Sequence, residues 1–445
     1  MVPLRPRLAD DVLARLDRRG EARTLVLFDR RHGRTLVLEG RSWALLGQAD
    51  GTRDLQGLVA AARGLGVRIG AEPAAQLLAQ LDALGLLVEG APEAIHTGVP
   101  EPSPWHDDAR AIEVWPQARY HCDGRGGCCR VYPSVLVLPD DVHRAAATLP
   151  EDHELGHAPQ WASTPVCGSA PTVRRTLALV EGGCRFHRQG EGCSLHARGG
   201  AAAKPLGCRW FPAQLVDDGD ALRATVAIEC ACVAHHDPRG EPLLPPEVVR
   251  GADLPRGSVV ARVPAQVGLA AEVSLPRADA IAWLEAMPDD DDDVAATVLR
   301  HAAALLPARD HDASAIVTAA ATRLVPVLTA ALARERCWRG ADEPVCVRLT
   351  TMLGAARLLA SPTAAALLLA SAPSDPALER RALAAARFGR LWLLEGELHA
   401  NALEFAISVW LARAVAALVP AQADATLRET PLAAVLASLR VYAGA

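Results

Sequence analysis

Lysine is almost missing from this chain: Lys204 is the single lysine among 46 basic residues, and the rest are arginine. GC-rich coding produces that bias. It leaves Lys204 conspicuous, because the residue sits in a cysteine-rich loop. An excess of positive charge is missing as well. A formal net charge of −6 offers no basic footprint for nucleic acid and no attraction to an anionic membrane surface. No apolar run is free of charge over a membrane-spanning length. The best candidate, NALEFAISVWLARAVAALVP, carries Glu404 and Arg413, so a buried or amphipathic helix is expected there. The opening MVPLRPRLADDVLARL places charges where the apolar core of a signal peptide belongs. The expected location is therefore cytoplasmic. Thiols stay reduced in that compartment, and clustered cysteines there serve as metal ligands or redox groups more often than as disulfides.

What the chain does contain falls into blocks along its 445 residues, enough for several domains. Residues 1–90 read as a small domain. TLVLF (24–28) and TLVLEG (35–40) flank RRHGR, a hairpin signal with glycine in the turn. Helical stretches follow at 42–48, 54–66 and 72–87, with Asp50-Gly51-Thr52 as a break and Thr52 or Asp54 as N-cap. Leu86, Leu87 and Val88 suit a closing strand. Residues 91–108 read as a linker, 109–240 as a cysteine block, and 241–288 as a Pro-rich connection with short strands such as SVVARV (258–263). Residues 289–445 read as a helical bundle, with apolar-periodic segments at 294–306, 313–335, 345–370, 377–418 and 431–442. Asp289 to Asp293 lack the alternating spacing of a calcium loop and fit the charged start of a helix. The expected fold class is α+β and mainly helical: a small winged-helix-like N-terminal domain, an irregular cysteine-cluster metal domain and a C-terminal helical bundle.

The cysteine block carries the chemistry. Nine of the 11 cysteines and nine of the 14 histidines lie between His106 and residue 240. They form three clusters: CDGRGGCC, then CRFHRQGEGCSLHARGGAAAKPLGCRWFP, then ECACVAHH. Thiolates bind zinc or iron strongly, but several must converge, and the chain between them must turn tightly. Glycines allow positive φ and let backbone N–H groups face sulfur, and GRGG before Cys128 and GEG before Cys193 supply them. Cys128 and Cys129 are neighbours whose side chains are expected to diverge. Either they serve two metal atoms or neighbouring sites, or one is a ligand and the other is buried. The common spacings (a C-x₂-C pair of pairs, C-x₃-C-x₂-C, C-x₂-C-x₂-C-x₃-C) are all absent. No G-x-G loop follows a predicted strand either, so a Rossmann-type cofactor site is not supported.

The block resembles a known family. YHCDGRGGCC is similar to the opening of the YkgJ-type cysteine-cluster proteins, which are zinc- or iron-chelating domains. Cys184-Arg185-Phe186, then Gly192, Cys193 and His196, then Lys204-Pro205 and Cys208-Arg209-Trp210-Phe211-Pro212 resemble its later elements in the same order. The larger layout, with ATVAIEC leading to Cys230 and a helical C-terminal region, resembles the flagellin lysine N-methylases more loosely. The resemblance implies metal ligation by Cys122, Cys128, Cys129, Cys184, Cys193, Cys208 and Cys230, holding an iron–sulfur cluster (4Fe-4S) or zinc. It also implies S-adenosyl-L-methionine as cofactor and methyl transfer to a lysine of a polypeptide substrate. Arg125 stands where that family has a second cysteine. It removes one ligand and offers a contact for an anionic cofactor or substrate group. The N-terminal hairpin, the DGT break and LLAQLDALGLLVEG resemble the PqqD-like fold, which implies a polypeptide-binding domain.

Other readings stand beside this one. A non-catalytic metal-binding or iron- or zinc-sensing protein with a structural cluster accounts for the same thiols, and a labile Cys128–Cys129 dithiol is a third option. Cys167, Cys337 and Cys346 fit ordinary buried thiols. His121, His187 and His196 fit satisfied surface or core positions. Glu395 and His399, spaced i, i+4, are expected to pair within a helix. The residues alone name no catalytic group.

Overall fold

The computed structural model describes residues 3–90, 108–131, 136–150, 161–164, 174–254, 258–305, 312–338, 343–369, 375–419 and 425–442, apart from one- to four-residue gaps within them. The chain is α+β, and helices hold many more of the described residues than strands do. It divides into two compact units that the backbone visits in turn. One comprises Met1–Pro100, Tyr132–Arg209 and Ala333–Gly340; the other comprises Glu101–Val131, Trp210–Leu332 and Ala341–Ala445. The block 109–240 is thus shared between the units. The linker 91–107 lies outside the described residues.

In the first unit the expected hairpin forms, with Ala22–Asp29 antiparallel to Arg34–Glu39 and Phe28 opposite Thr35. A strand the sequence reading did not anticipate, Val12–Arg19, flanks it on the other side. Leu179–Val180 adds parallel to that strand and Gly183–Cys184 follows, making five strands. Pro6–Leu8 pairs with the closing strand Leu87–Glu89. Leu25 and Leu27 are fully buried against Trp43, Leu58, Leu78 and Leu81. These come from helices Ser42–Leu46, Leu55–Gly64 and Ala71–Ala83. Ala74, Leu78 and Leu81 recur at helical spacing, which turns one stripe inward.

Local chemistry sets where these elements stop. Asp54 caps Leu55–Gly64, its carboxylate accepting from Gly57 N–H at 2.8 Å. After Ala71–Ala83, Gly85 adopts φ 71°. Gly85 N–H then reaches Asp82 O at 2.8 Å and Leu86 N–H reaches Leu81 O at 2.9 Å, the pairing of a Schellman stop. The hairpin turn closes on Asp29, which is 3% exposed. It accepts from Arg34 at 2.6 Å and contacts His32 Nδ1 at 2.8 Å.

The second unit has a four-stranded sheet in the order Val260–Arg262, Ala213–Asp217, Leu222–Val226, Ile112–Val114. Its helices coincide with the expected segments, but two of those segments are each broken in two. Residues 345–370 divide into Pro344–Leu359 and Pro362–Leu369, because proline cannot continue a helix from its missing N–H. Residues 377–418 divide into Pro376–Phe388 and Leu398–Leu418. The turn between them passes through Gly389, where a Cβ would lie 2.2 Å from Thr225 Cγ2, and Arg390 at φ 54°. The second helix opens at Leu398 and carries His399. Glu395 itself lies outside the described residues.

Two helices, Ala313–Cys337 and Leu398–Leu418, are long and apolar enough to cross a membrane by length and composition. The second is the one flagged for Glu404 and Arg413, and 67% of its apolar window is buried against 33% for the first. It packs against Val294–Leu305, Pro344–Leu359 and Pro431–Tyr442. Buried Arg413 donates to Glu379 at 2.7 Å and to Asp293 at 3.0 Å. Asp293 also accepts from Ala296 N–H at 3.2 Å, capping Val294–Leu305 as the sequence suggested; Asp289 to Asp292 lie outside the described residues. Burial raises the Glu379 carboxyl, and Arg413 offsets this only in part.

Two measurements test this framework. Arg413→Ala leaves a buried carboxylate uncompensated and should cost about 3–5 kcal/mol in urea unfolding, while Arg413→Met with Glu379→Met should recover much of that loss. At Asp29, burial opposes ionisation, but the hydrogen bonds from Arg34 and His32 outweigh it and hold the carboxyl below its usual range. Its stabilisation is therefore present above the unfolded carboxyl's pKa of about 3.9 and lost as pH falls through the lower folded value. Thermal melts of Asp29→Asn should converge on those of the unsubstituted protein under acid conditions and separate near neutrality.

Candidate functional site

Four of the seven candidate ligands lie in the second unit. Cys122 follows strand Arg119–Tyr120, which pairs with Glu241–Pro242. Cys128 and Cys129 lie on the five-residue helix Gly127–Val131. Cys230 immediately precedes the four-residue helix Ala231–Ala234, and its carbonyl accepts from Val233 N–H at 3.0 Å and Ala234 N–H at 3.1 Å. Helices this short do not hold themselves. Pro431–Tyr442 packs against both of them, and Pro376–Phe388 also packs on Ala231–Ala234. From Pro376–Phe388, Arg381 donates to Val233 O at 3.3 Å and Ala234 O at 2.9 Å, satisfying carbonyls at the helix end. Burial lowers the Arg381 guanidinium despite the attraction of Asp375.

The thiols feel one another. The Cys128 thiol is pushed well above its ordinary value, first by its contact with Cys129, then by burial, then by charge at Cys129, Cys230 and Cys122. Cys128 Sγ and Cys129 Sγ are 4.0 Å apart. The expected divergence of these neighbours is therefore corrected: they sit in a helical turn, where successive side chains are rotated by about 100° rather than sent to opposite faces. A tetrahedral zinc site with Zn–S of about 2.3 Å places its sulfurs roughly 3.8 Å apart, so the pair suits one ion by spacing. Gly124 and Gly126 take φ 73° and 72°, the conformations proposed for GRGG. Among the described residues, however, no three or more His, Cys, Asp or Glu side chains are gathered as a metal would need. The donor chemistry fits a thiophilic metal, while the full ligand set is not assembled.

The other three candidates belong to the first unit. Cys184 and Cys193 pack against a small core of Phe186, Leu195, Ala145, Leu149 and Ala203. His187 stands opposite Cys193 in a short strand pair, and Gly192 takes φ 78°. Cys208 is half-buried on helix Leu206–Trp210. That helix is fixed by fully buried Asp141, which accepts from Leu206 N–H at 3.1 Å, is ion-paired with Arg144 and lies 3.9 Å from Arg209. Burial and the like charge of Arg144 lower the Arg209 guanidinium. Arg209 thus lies in the charged cluster that fixes the loop. Arg125 and Cys167 lie outside the described residues. Cys346 is buried as expected, but Cys337 is exposed, because it falls in the last turn of a helix whose outer face meets solvent.

A further feature of the second unit escaped the sequence reading. A cavity of about 740 Å³ opens between the sheet and the helices, and its wall includes Glu229, the residue before Cys230. Helix Leu398–Leu418 contributes Asn401, Glu404, Phe405 and Ser408, spaced i, i+3, i+4, i+7 along one face. That spacing was readable, but inside a strongly apolar stretch it looked like a core stripe with a stray charge.

No family model, curated protein or solved structure matches this chain.

The positive φ of Gly126 gives a direct test of how the thiols are held. Gly126→Ala should cost about 1–2 kcal/mol in urea unfolding, whereas Gly127→Ala, inside the helix, should be tolerated better.

Proposed function

We propose that this is a cytoplasmic cysteine-cluster metal protein, holding an iron–sulfur cluster or zinc, that modifies a polypeptide substrate. The single observation that carries the reading is the Cys128–Cys129 pair, with sulfurs 4.0 Å apart on one helical turn and Cys128 within electrostatic reach of Cys230 and Cys122. Thiols brought together with their charges opposed raise the cost of ionisation, and a bound cation removes that cost. The YkgJ-type resemblance adds Cys184, Cys193 and Cys208 as candidate ligands. The N-terminal body, with its hairpin, three helices and closing strand, supports a PqqD-like, winged-helix role in holding a segment of the substrate. The reaction favoured by the resemblance is methyl transfer from S-adenosyl-L-methionine to a lysine amine. A dry or basic setting must first leave that amine neutral, because an ammonium has no lone pair.

Anaerobic purification followed by iron, zinc and acid-labile sulfide analysis tests the reading. Stoichiometric metal is expected, with visible absorbance that dithionite bleaches if the centre is iron–sulfur. Cys128→Ser and Cys230→Ser should each lose it. Metal-free protein with unchanged stability in those variants would end the proposal. Metal without S-adenosyl-L-methionine binding in equilibrium dialysis would leave a structural or sensing centre and end the methyltransferase part.

A further inference from the structure

We propose that the 740 Å³ cavity of the second unit is a binding site for a small aliphatic ammonium ion. Its volume falls within the range of small-molecule sites, about 300–1,000 Å³. The argument rests on what its polar atoms have left to offer. Ser408 has given its hydroxyl proton to Glu404 O at 2.7 Å. Asn401 has given an amide proton to Trp392 O at 2.8 Å. The basic residue among the described lining, Arg262, donates to Asp217 at 3.2 Å. Unspent on the wall are acceptors. Gln214 Oε1 is buried with no hydrogen-bond partner. Glu404 makes no ion pair or side-chain hydrogen bond among the described residues, and burial alone raises its carboxyl. This holds even though solvent reaches its side chain through the cavity. A second carboxylate on the wall, Glu229, is already engaged.

An unpartnered amide oxygen at Gln214 and an unpaired carboxylate at Glu404 ask for a ligand that donates and is positive. The remaining lining is apolar. Trp392 and Phe405, with ring centroids 5.2 Å apart, suit an alkyl stem and the edge of a cationic head. Ala382, Ala385 and Ala386 leave the volume empty where larger side chains would fill it. An anion would meet two carboxylates, and a sulfonium carries no N–H for the waiting oxygens. A primary ammonium on an aliphatic chain meets both demands.

The proposal does not rest on the metal, since no thiol is among the lining residues. Calorimetric titration of the full chain with n-hexylamine, n-hexanol and hexanoate tests it, with and without metal in the protein. Hexylamine should bind about tenfold or more tightly than hexanol, the worth of one charge-assisted hydrogen bond, and hexanoate least of all. Glu404→Gln should abolish that preference and Glu404→Asp should keep part of it. Ala386→Leu, which fills the cavity, should weaken hexylamine and hexanol alike. Equal binding of amine and alcohol, or an amine preference that survives Glu404→Gln, would overturn the proposal. So would unchanged amine binding by Ala386→Leu, which also covers the case of a Glu404 variant that does not fold.

Discussion

The cysteine segments of the second unit have no core of their own, and everything about the site follows from that. Gly127–Val131 and Ala231–Ala234 are each barely one helical turn, too short to be stable in water. Their positions are borrowed from Pro376–Phe388 and Pro431–Tyr442, far along the chain. Arg381 makes the loan explicit by carrying a buried guanidinium to the carbonyls at the end of Ala231–Ala234. The large helical region thereby gains a physical purpose: it is the mould into which two cysteine-bearing turns are pressed.

Arginine neutralises buried carboxylates throughout this molecule. Asp217 has Arg110 and Arg262, Asp218 has Arg223, and Glu379 has Arg413. Against that habit, Glu404 on the cavity wall makes no ion pair among the described residues. The contrast is sharpest on a single helix, where Arg413 is closed in by two carboxylates and Glu404, some nine residues earlier, faces open space.

Much of the fold was legible because its signals are local. The hairpin of Ala22–Asp29 with Arg34–Glu39, the Asp54 cap and the apolar period of Ala71–Ala83 act within a few residues and lie where the pattern put them, whereas the Gly85 stop ends that helix short of the expected residue 87. Val12–Arg19 was missed because its charges obscure a strand whose Val12 and Ala14 reach the core. The breaks at Pro362 and Gly389 were passed over because apolar periodicity continues on both sides of them. At the site, the glycine conformations and the importance of Cys128 and Cys129 were readable, whereas their convergence depended on a helical turn that a glycine-rich stretch does not advertise. The cavity is a product of tertiary packing between strand 213–217, the turn at Glu229 and helix Leu398–Leu418, and no local pattern announces such a meeting.

The alternation of the backbone between its two units bears on how the protein comes to exist. The second unit begins with Glu101 and ends with Ala445, while the first receives its last contribution only at Ala333–Gly340. Emerging from a ribosome, neither can be finished while the other is still unmade. The glycine-flanked thiols at 122–129 must wait, reduced and unprotected, through more than 300 further residues before Pro431–Tyr442 arrives to seat them. For that interval the thiols lack the packing that Pro431–Tyr442 later supplies.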